Sequence, residues 1–306
     1  MASKKLKHIK KYIPLYIMML PGLLYLLINN YLPMAGLVIA FKDVDYRKGI
    51  FGSDWIGFKN FEYLFSTEDA WVITRNTMGY NIAFILINTT LSVIVAILLS
   101  EMISKGAKRF YQSAILLPFL LSMVIIGYLG NAMMNTELGF LNKTILPLFG
   151  AEPVQWYMEP KLWVFILPFV YAWKEVGYLS IIYYSAVLGI DTEYYEAASL
   201  EGASKLQQIY YITIPLIKPV IYTMVLLSIG KIFRSDFGLF YHVPLNSGAL
   251  YSTTNVIDTY VYRGLMQLGD IGMSSAAGAY QAVVGFLFVL ASNLIVRKTS
   301  PENALF

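Results

Sequence analysis

Apolar residues in this chain run in long blocks, without the short repeats of a soluble fold. The blocks fall at about Tyr12–Ala40, Thr77–Ser100, Phe110–Met134, Leu162–Leu188, Pro219–Phe233 and Met273–Val296. A helix rises about 1.5 Å per residue, so roughly 20 apolar residues cross a bilayer core of about 30 Å. The pattern predicts an all-α integral membrane protein with six transmembrane helices. Pro14, Pro21 and Pro33 predict kinks in the first span. Residues 42–74 are polar and aromatic, residues 189–218 form a polar connection before span five, and residues 234–272 read as a loop leading to span six.

Composition agrees with this division. The chain is 57% hydrophobic and 14% charged, against about 45–50% and 25% in soluble domains. Once six spans are drawn, no large soluble domain remains. Cys is absent, which excludes disulfide scaffolds, iron–sulfur clusters and thiol catalysis. His8 and His242 lie far apart, and neither a zinc motif nor a phosphate-binding glycine loop occurs, since Gly230-Lys231 is followed by Ile232. No catalytic residues and no metal site are expected. The net charge of +4 is small, and the basic residues are scattered between spans, which argues against nucleic-acid binding.

Charge also orients the spans. Five lysines (Lys4, Lys5, Lys7, Lys10, Lys11) precede the first block, which is too long for a signal-peptide core and has no A-x-A cleavage pattern after it. It reads as a retained first helix. Residues 1–11, 101–109, 189–218 and 297–306 fall on one side of six spans and carry about twice as many Lys and Arg per residue as the other side. Cytoplasmic loops carry that excess, so both termini and the 189–218 loop are expected in the cytoplasm. The division is a basic N-terminus 1–11, a six-helix transmembrane domain 12–296 and a short tail 297–306.

The 189–218 loop carries local structure signals. Asp191 is a helix N-cap, and Glu193 lies in the first turn, where the helix dipole favours an anion. Tyr194 to Leu200 can be helical, with Gly202 placed for a left-handed termination. Ser204-Lys-Leu-Gln207 is a capping box for a second helix. Pro215 is expected to stop that helix and Pro219 to open span five. Composition alone allows a plain interfacial hairpin.

The segment Glu196-Ala197-Ala198, Gly202, Ile212-Thr213-Ile214-Pro215 resembles the EAA motif of bacterial binding-protein-dependent ABC importer permeases, E-A-A, three residues, G, nine residues, I-x-L-P. Both spacings are intact, and the one departure is Ile214 for Leu. Met34-Ala35-Gly36, Phe41-Lys42-Asp43, Lys48-Gly49-Ile50 and Trp55-Ile56-Gly57-Phe58-Lys59-Asn60-Phe61 resemble the opening of carbohydrate permeases of the polysaccharide/oligosaccharide subgroup. These are similar to the maltose permease pair without its large periplasmic insert.

The resemblance implies the type I ABC importer permease (MetI-like) fold in a bacterial cytoplasmic (inner) membrane, crossed several times. It implies a second permease subunit, two copies of an ATP-binding subunit holding ATP and Mg, and an extracytoplasmic solute-binding protein that delivers a sugar. The chain itself would hold no cofactor. Glu196, Ala197, Ala198, Gly202, Ile212 and Pro215 would form the coupling loop that meets the ATPase. Glu196 would accept hydrogen bonds or pair with a basic group. Ala197, Ala198 and Gly202 would allow close packing and the turn, with Pro215 fixing the exit toward span five.

Other polar residues allow two readings each. Trp173, Lys174 and Glu175 fall mid-span, where a Lys costs at least about 2.5–3.5 kcal/mol unless it faces protein or water. They either line the substrate pathway or pair with a neighbouring helix. Lys231, Arg234 and Asp236 read as interface charges at the end of span five. The small-residue stretch Ser274–Ala279 reads as a helix contact. Trp55, Trp71, Trp156 and Trp163 read as interfacial belts. A peptide or amino-acid permease of the same class, a stand-alone secondary transporter and a membrane enzyme are the rival classes. The EAA pattern is unexplained by the last two.

Overall fold

The computed structural model describes residues 2–299, with side chains described from Tyr12 onward except at positions 295 and 299. The lysine side chains of segment 1–11 and the tail residues 300–306 lie outside the described residues. Helix α1 (Ala2–Leu26) takes Pro14 and Pro21 into its interior and runs on through a π turn, Leu27–Tyr31, and a 3-10 stretch, Leu32–Phe41. No side chain from residue 12 to 35 is buried within the chain. A short antiparallel pair follows, β1 (Lys42–Asp43) with β2 (Asp54–Trp55), in register Lys42 to Trp55. Helix α2 (Lys59–Ser66) leads to α3 (Asp69–Glu101), which begins eight residues before the apolar block does.

Span three is not one helix. It divides into α4 (Lys105–Leu120) and α5 (Met123–Met134), whose axes differ by 96°. Helix α6 (Pro160–Leu188) is the fourth span. The hairpin is α7 (Thr192–Leu200) and α8 (Lys205–Gln208), and α8 continues through a π turn, Ile209–Thr213, into α9 (Ile214–Ile229). The last span is α12 (Ile271–Thr299). Among the described residues, five helical segments are long and apolar enough to cross a membrane, six when the bent pair counts as one span.

Helices α3 and α6 form the central pair. Phe84 stacks on Tyr171 at 4.0 Å between ring centres, and Tyr183 and Tyr184 bury against Ala96 and Leu99. A Cβ on Gly177 would strike the Ile115 carbonyl, so α4 and α6 touch through backbone. The small-residue stretch makes the contact expected of it: Ala276 and Ala279 pack on Ala40 beneath Phe41 and Phe61.

Three expectations need correction. Pro215 does not end a helix. It lies in the first turn of α9, where a missing N–H is tolerated, and the π turn before it carries the helix through, so Pro219 falls inside α9 and does not open the span. Residues 234–272 are not an open loop but fold into α10 (Phe237–His242) and α11 (Ile257–Met266) with short turns between. Trp156 and Trp163 are not belt residues. Trp163 is fully buried and donates to the Trp156 carbonyl (2.7 Å), and Trp156 donates to Asn142 Oδ1 (2.9 Å). Trp55 and Trp71 are exposed, as a belt requires.

Candidate functional site: a capped hairpin and a broken span

The hairpin is built from local signals. Asp191 is extended (ψ 132) and its Oδ1 accepts from the Glu193 N–H at 3.1 Å. Gly202 has φ +80, a conformation costly for residues with a Cβ. It lets the Ala203 N–H return to the Ala198 carbonyl at 2.9 Å and close the end of α7. The Ser204–Gln207 capping box is complete, with Ser204 N–H donating to Gln207 Oε1 at 2.7 Å and Gln207 N–H to Ser204 Oγ at 3.4 Å.

Side-chain bonds lock the two arms together. Buried Gln208 donates from Nε2 to Ser199 Oγ (2.9 Å) and the Ala203 carbonyl (3.3 Å). Tyr195 and Thr213 share a hydroxyl bond of 2.9 Å, and Lys205 pairs with Glu101 at the end of α3 (3.1 Å). These clamps were not readable from the motif, because each joins residues with no recognisable pairing in sequence. Their effect is a stiff hairpin with an exposed outer face. Glu196, Ala197, Gly202 and Pro215 are exposed, Ala198 and Ile212 half-buried, and Leu200 is 90% exposed. At the hairpin root, Gly189, Ile190, Asp191, Tyr194, Leu216 and Val220 line an open cavity of about 400 Å³.

The mid-span charges divide. Lys174 is buried and its Nζ donates to the carbonyls of Phe119 (2.8 Å) and Leu121 (2.7 Å), over the Phe119 ring at 5.4 Å. These carbonyls belong to the end of α4, left without helical donors by the 96° bend. On the far side of the break, Ser122 Oγ accepts from the Ile125 N–H to start α5. A helix end inside a bilayer must be satisfied by protein, and a cation suits a helix C-terminus. Lys174 therefore caps the break. Glu175 is half-buried and Trp173 is 42% exposed, and neither joins it. Asp236 caps α10, accepting from the Leu239 N–H at 3.0 Å, while Lys231 and Arg234 are exposed. Among the described residues no group of three His, Asp or Glu side chains could hold a metal.

The described residues thus form a bundle of membrane-length helices with a rigid, capped hairpin at one end. The comparisons with known proteins give the family. Residues 88–301 match the binding-protein-dependent transport system inner membrane component, and the chain belongs to that family. It is 34% identical over 296 residues to the polygalacturonan/rhamnogalacturonan transport system permease protein YteP of Bacillus subtilis (strain 168), covering 94% of this chain and 89% of that protein. A bacterial ABC transporter involved in the import of the acidic polysaccharide alginate has a chain that superposes with TM-score 0.88 and 31% identity, covering 97% of this chain and 99% of that one. The bacterial alginate ABC transporter in complex with alginate pentasaccharide-bound periplasmic protein gives TM-score 0.86 at 31% identity, covering 96% and 97%. The chain is thus the non-enzymatic membrane component of an ABC importer, and ATP hydrolysis belongs to a different subunit.

Proposed function

We propose that this chain forms, with a second permease subunit, the transmembrane path of an ATP-driven importer for oligosaccharides. The single observation that carries the coupling half is the hairpin 191–215, with EAA spacing, a left-handed Gly202 and a clamped, exposed face. Glu196, Ala197, Ala198, Gly202, Ile212 and Pro215 form the contact with one of two ATP-binding subunits, which hold ATP and Mg. The hairpin end is cytoplasmic, and the opposite end receives the solute-binding protein. The uncovered length of α1, with no buried side chain from residue 12 to 35, supports a packing partner beyond lipid.

Sugar specificity rests on the relatives. YteP is named for polygalacturonan and rhamnogalacturonan and the solved importer for alginate, an acidic polysaccharide. Oligouronides are the first substrates to test. ATP binding closes the two ATPase subunits, and the stiff hairpin passes that motion to the spans, shifting the bundle between two access states. The test is co-purification from detergent-solubilised membranes of the native host. Wild type should bring down an ATPase, a second permease and a binding protein. Gly202→Asp should lose the ATPase alone. Wild type arriving folded and without partners would refute the proposal.

A further inference from the structure

A second cavity, of about 320 Å³, lies at the end of the bundle away from the hairpin, where α5 crosses α10 and the turn after it. Its walls are Gly127, Tyr128, Tyr241, His242, Leu245 and Asn246. It begins a turn beyond the break that Lys174 caps.

The framework around it is stiff. A Cβ on Gly127 would lie 2.6 Å from the His242 carbonyl oxygen, so the helices meet through backbone. Leu245 and Asn246 both adopt left-handed conformations, φ 54 and 48. Two such non-glycine residues in succession are strained, and strain of this kind persists where the surroundings over-determine it. Here the Asn246 N–H donates to the Tyr241 carbonyl (3.0 Å), and Asn246 Oδ1 accepts from Arg263 Nη1 (2.9 Å) and Tyr251 Oη (3.2 Å). Buried Arg263 is held in turn by Asn255, Thr259 and the Tyr251 ring.

The lining is left chemically unspent. Tyr128 is 70% exposed. Neither its hydroxyl nor that of Tyr241, nor the nitrogens of His242, nor Asn246 Nδ2 has a hydrogen-bond partner among the described residues. Phe237 stacks on Tyr241 at 5.0 Å, and His242 meets Tyr241 edge-on at 5.2 Å, which fixes both rings. An exposed Tyr128 ring and the half-buried rings of Tyr241 and His242, beside donors and acceptors of fixed geometry, suit a molecule with apolar C–H faces and a rim of hydroxyls. Polar and apolar groups share the lining almost equally, and a concave site with convergent polar groups is the default place to look for a ligand.

We propose that this cavity is a subsite for one pyranose ring of the transported oligosaccharide, on the path between the outer mouth and the break in span three. The inference rests on the oligosaccharide reading above. The test uses the assembled importer in proteoliposomes, with radiolabelled oligogalacturonides and maltodextrins of two to six rings. Tyr128→Ala and Tyr241→Ala should each raise the KM for uptake by about tenfold, the equivalent of one aromatic contact. Tyr128→Phe, which keeps the ring, should stay within about twofold of wild type, at roughly 0.4 kcal/mol. Yield and the melting midpoint in detergent should be unchanged in all three. The subsite is overturned if KM is unmoved in the alanine variants, or if yield and melting midpoint fall along with uptake, which is a structural role. A lipid seated in the cavity of the purified wild type, and not displaced by these sugars, also overturns it. Wild-type importer that moves none of these sugars refutes the oligosaccharide reading first and the subsite with it.

Discussion

The two ends of the bundle are built by different means. At the hairpin end, a chain of local signals (Asp191, Gly202 and the Ser204–Gln207 box) shapes a small exposed element, and three longer-range contacts then clamp it. At the opposite end, shape comes from buried and half-buried polar side chains reaching along the sequence. Asn76 donates to the Asn255 carbonyl, and Arg263 ties Asn246 to Asn255. Asn142 gathers Val154 and Trp156, and Asn60 bonds the carbonyls of Ala40 and Lys42. An element made of local caps can change its outer face without endangering the fold. An end knitted by buried amides and a guanidinium cannot, because removing one partner strands the others in a dry interior.

That contrast can be broken or sharpened by substitution. The largest effect is expected at Arg263→Met, which strands the Asn255 carboxamide oxygen, leaves Asn246 Oδ1 with the Tyr251 hydroxyl alone, weakens the support of the left-handed turn and destabilises by about 3 kcal/mol. Melting in detergent checks it, and an unchanged midpoint would mean the network is ornamental. Next comes Lys174→Met, which leaves the Phe119 and Leu121 carbonyls unpaired in the membrane interior, at a loss of about 2–3 kcal/mol. Here the same melting curve should move while the hairpin keeps its ATPase contact. Ser204→Ala removes one half of a capping box and should lower stability by only about 1 kcal/mol. Coupled ATP hydrolysis should fall by more than so small a loss of stability accounts for.

The smallest expected effect is in pH dependence. Burial raises the Asp258 carboxyl above its usual range, against bonds from the Ser235 N–H and Gln281. The folded state therefore binds the proton more tightly than the unfolded chain does. Stability from this group is present at low pH and falls as pH rises from the ordinary carboxylate value through the raised one. Asp258→Asn should flatten that slope in a melting series between pH 3 and pH 7, and an unaltered slope would remove Asp258 as its source.

The same contrast explains what could be read in the sequence. Span positions were legible because lipid demands long apolar runs, and the hairpin because caps and a left-handed glycine act over a few residues. The 96° bend was not legible. Pro118 and Ser122 hint at it, but the group that makes it tolerable, Lys174, lies more than 50 residues away, and its burial reads equally as a pathway charge. Residues 234–272 looked like loop for a related reason. Their short helices are fixed by partners such as Asn76 and Thr77 on α3, whose hydroxyl accepts from the Ile257 N–H. Trp156 and Trp163 resembled belt residues because sequence places them near a span edge and shows nothing of Asn142. Pro215 misled in the opposite sense, since a π turn before it absorbs what a regular helix could not.

The absence of cysteine from the chain allows the most direct test of the central claim, that the hairpin meets the ATPase in the cytoplasm and the far end opens outward. Single cysteines would be placed at Ala197 in the hairpin and at Leu245 in the far turn, both exposed. Each would then be treated in intact cells with a membrane-impermeant thiol reagent and, separately, in purified importer with a short bifunctional cross-linker. Ala197→Cys should resist the impermeant reagent and cross-link to the ATP-binding subunit, while Leu245→Cys should react from outside and give no ATPase adduct. Labelling of Ala197→Cys from outside, or an ATPase adduct at Leu245→Cys in its place, would contradict the orientation and the coupling together.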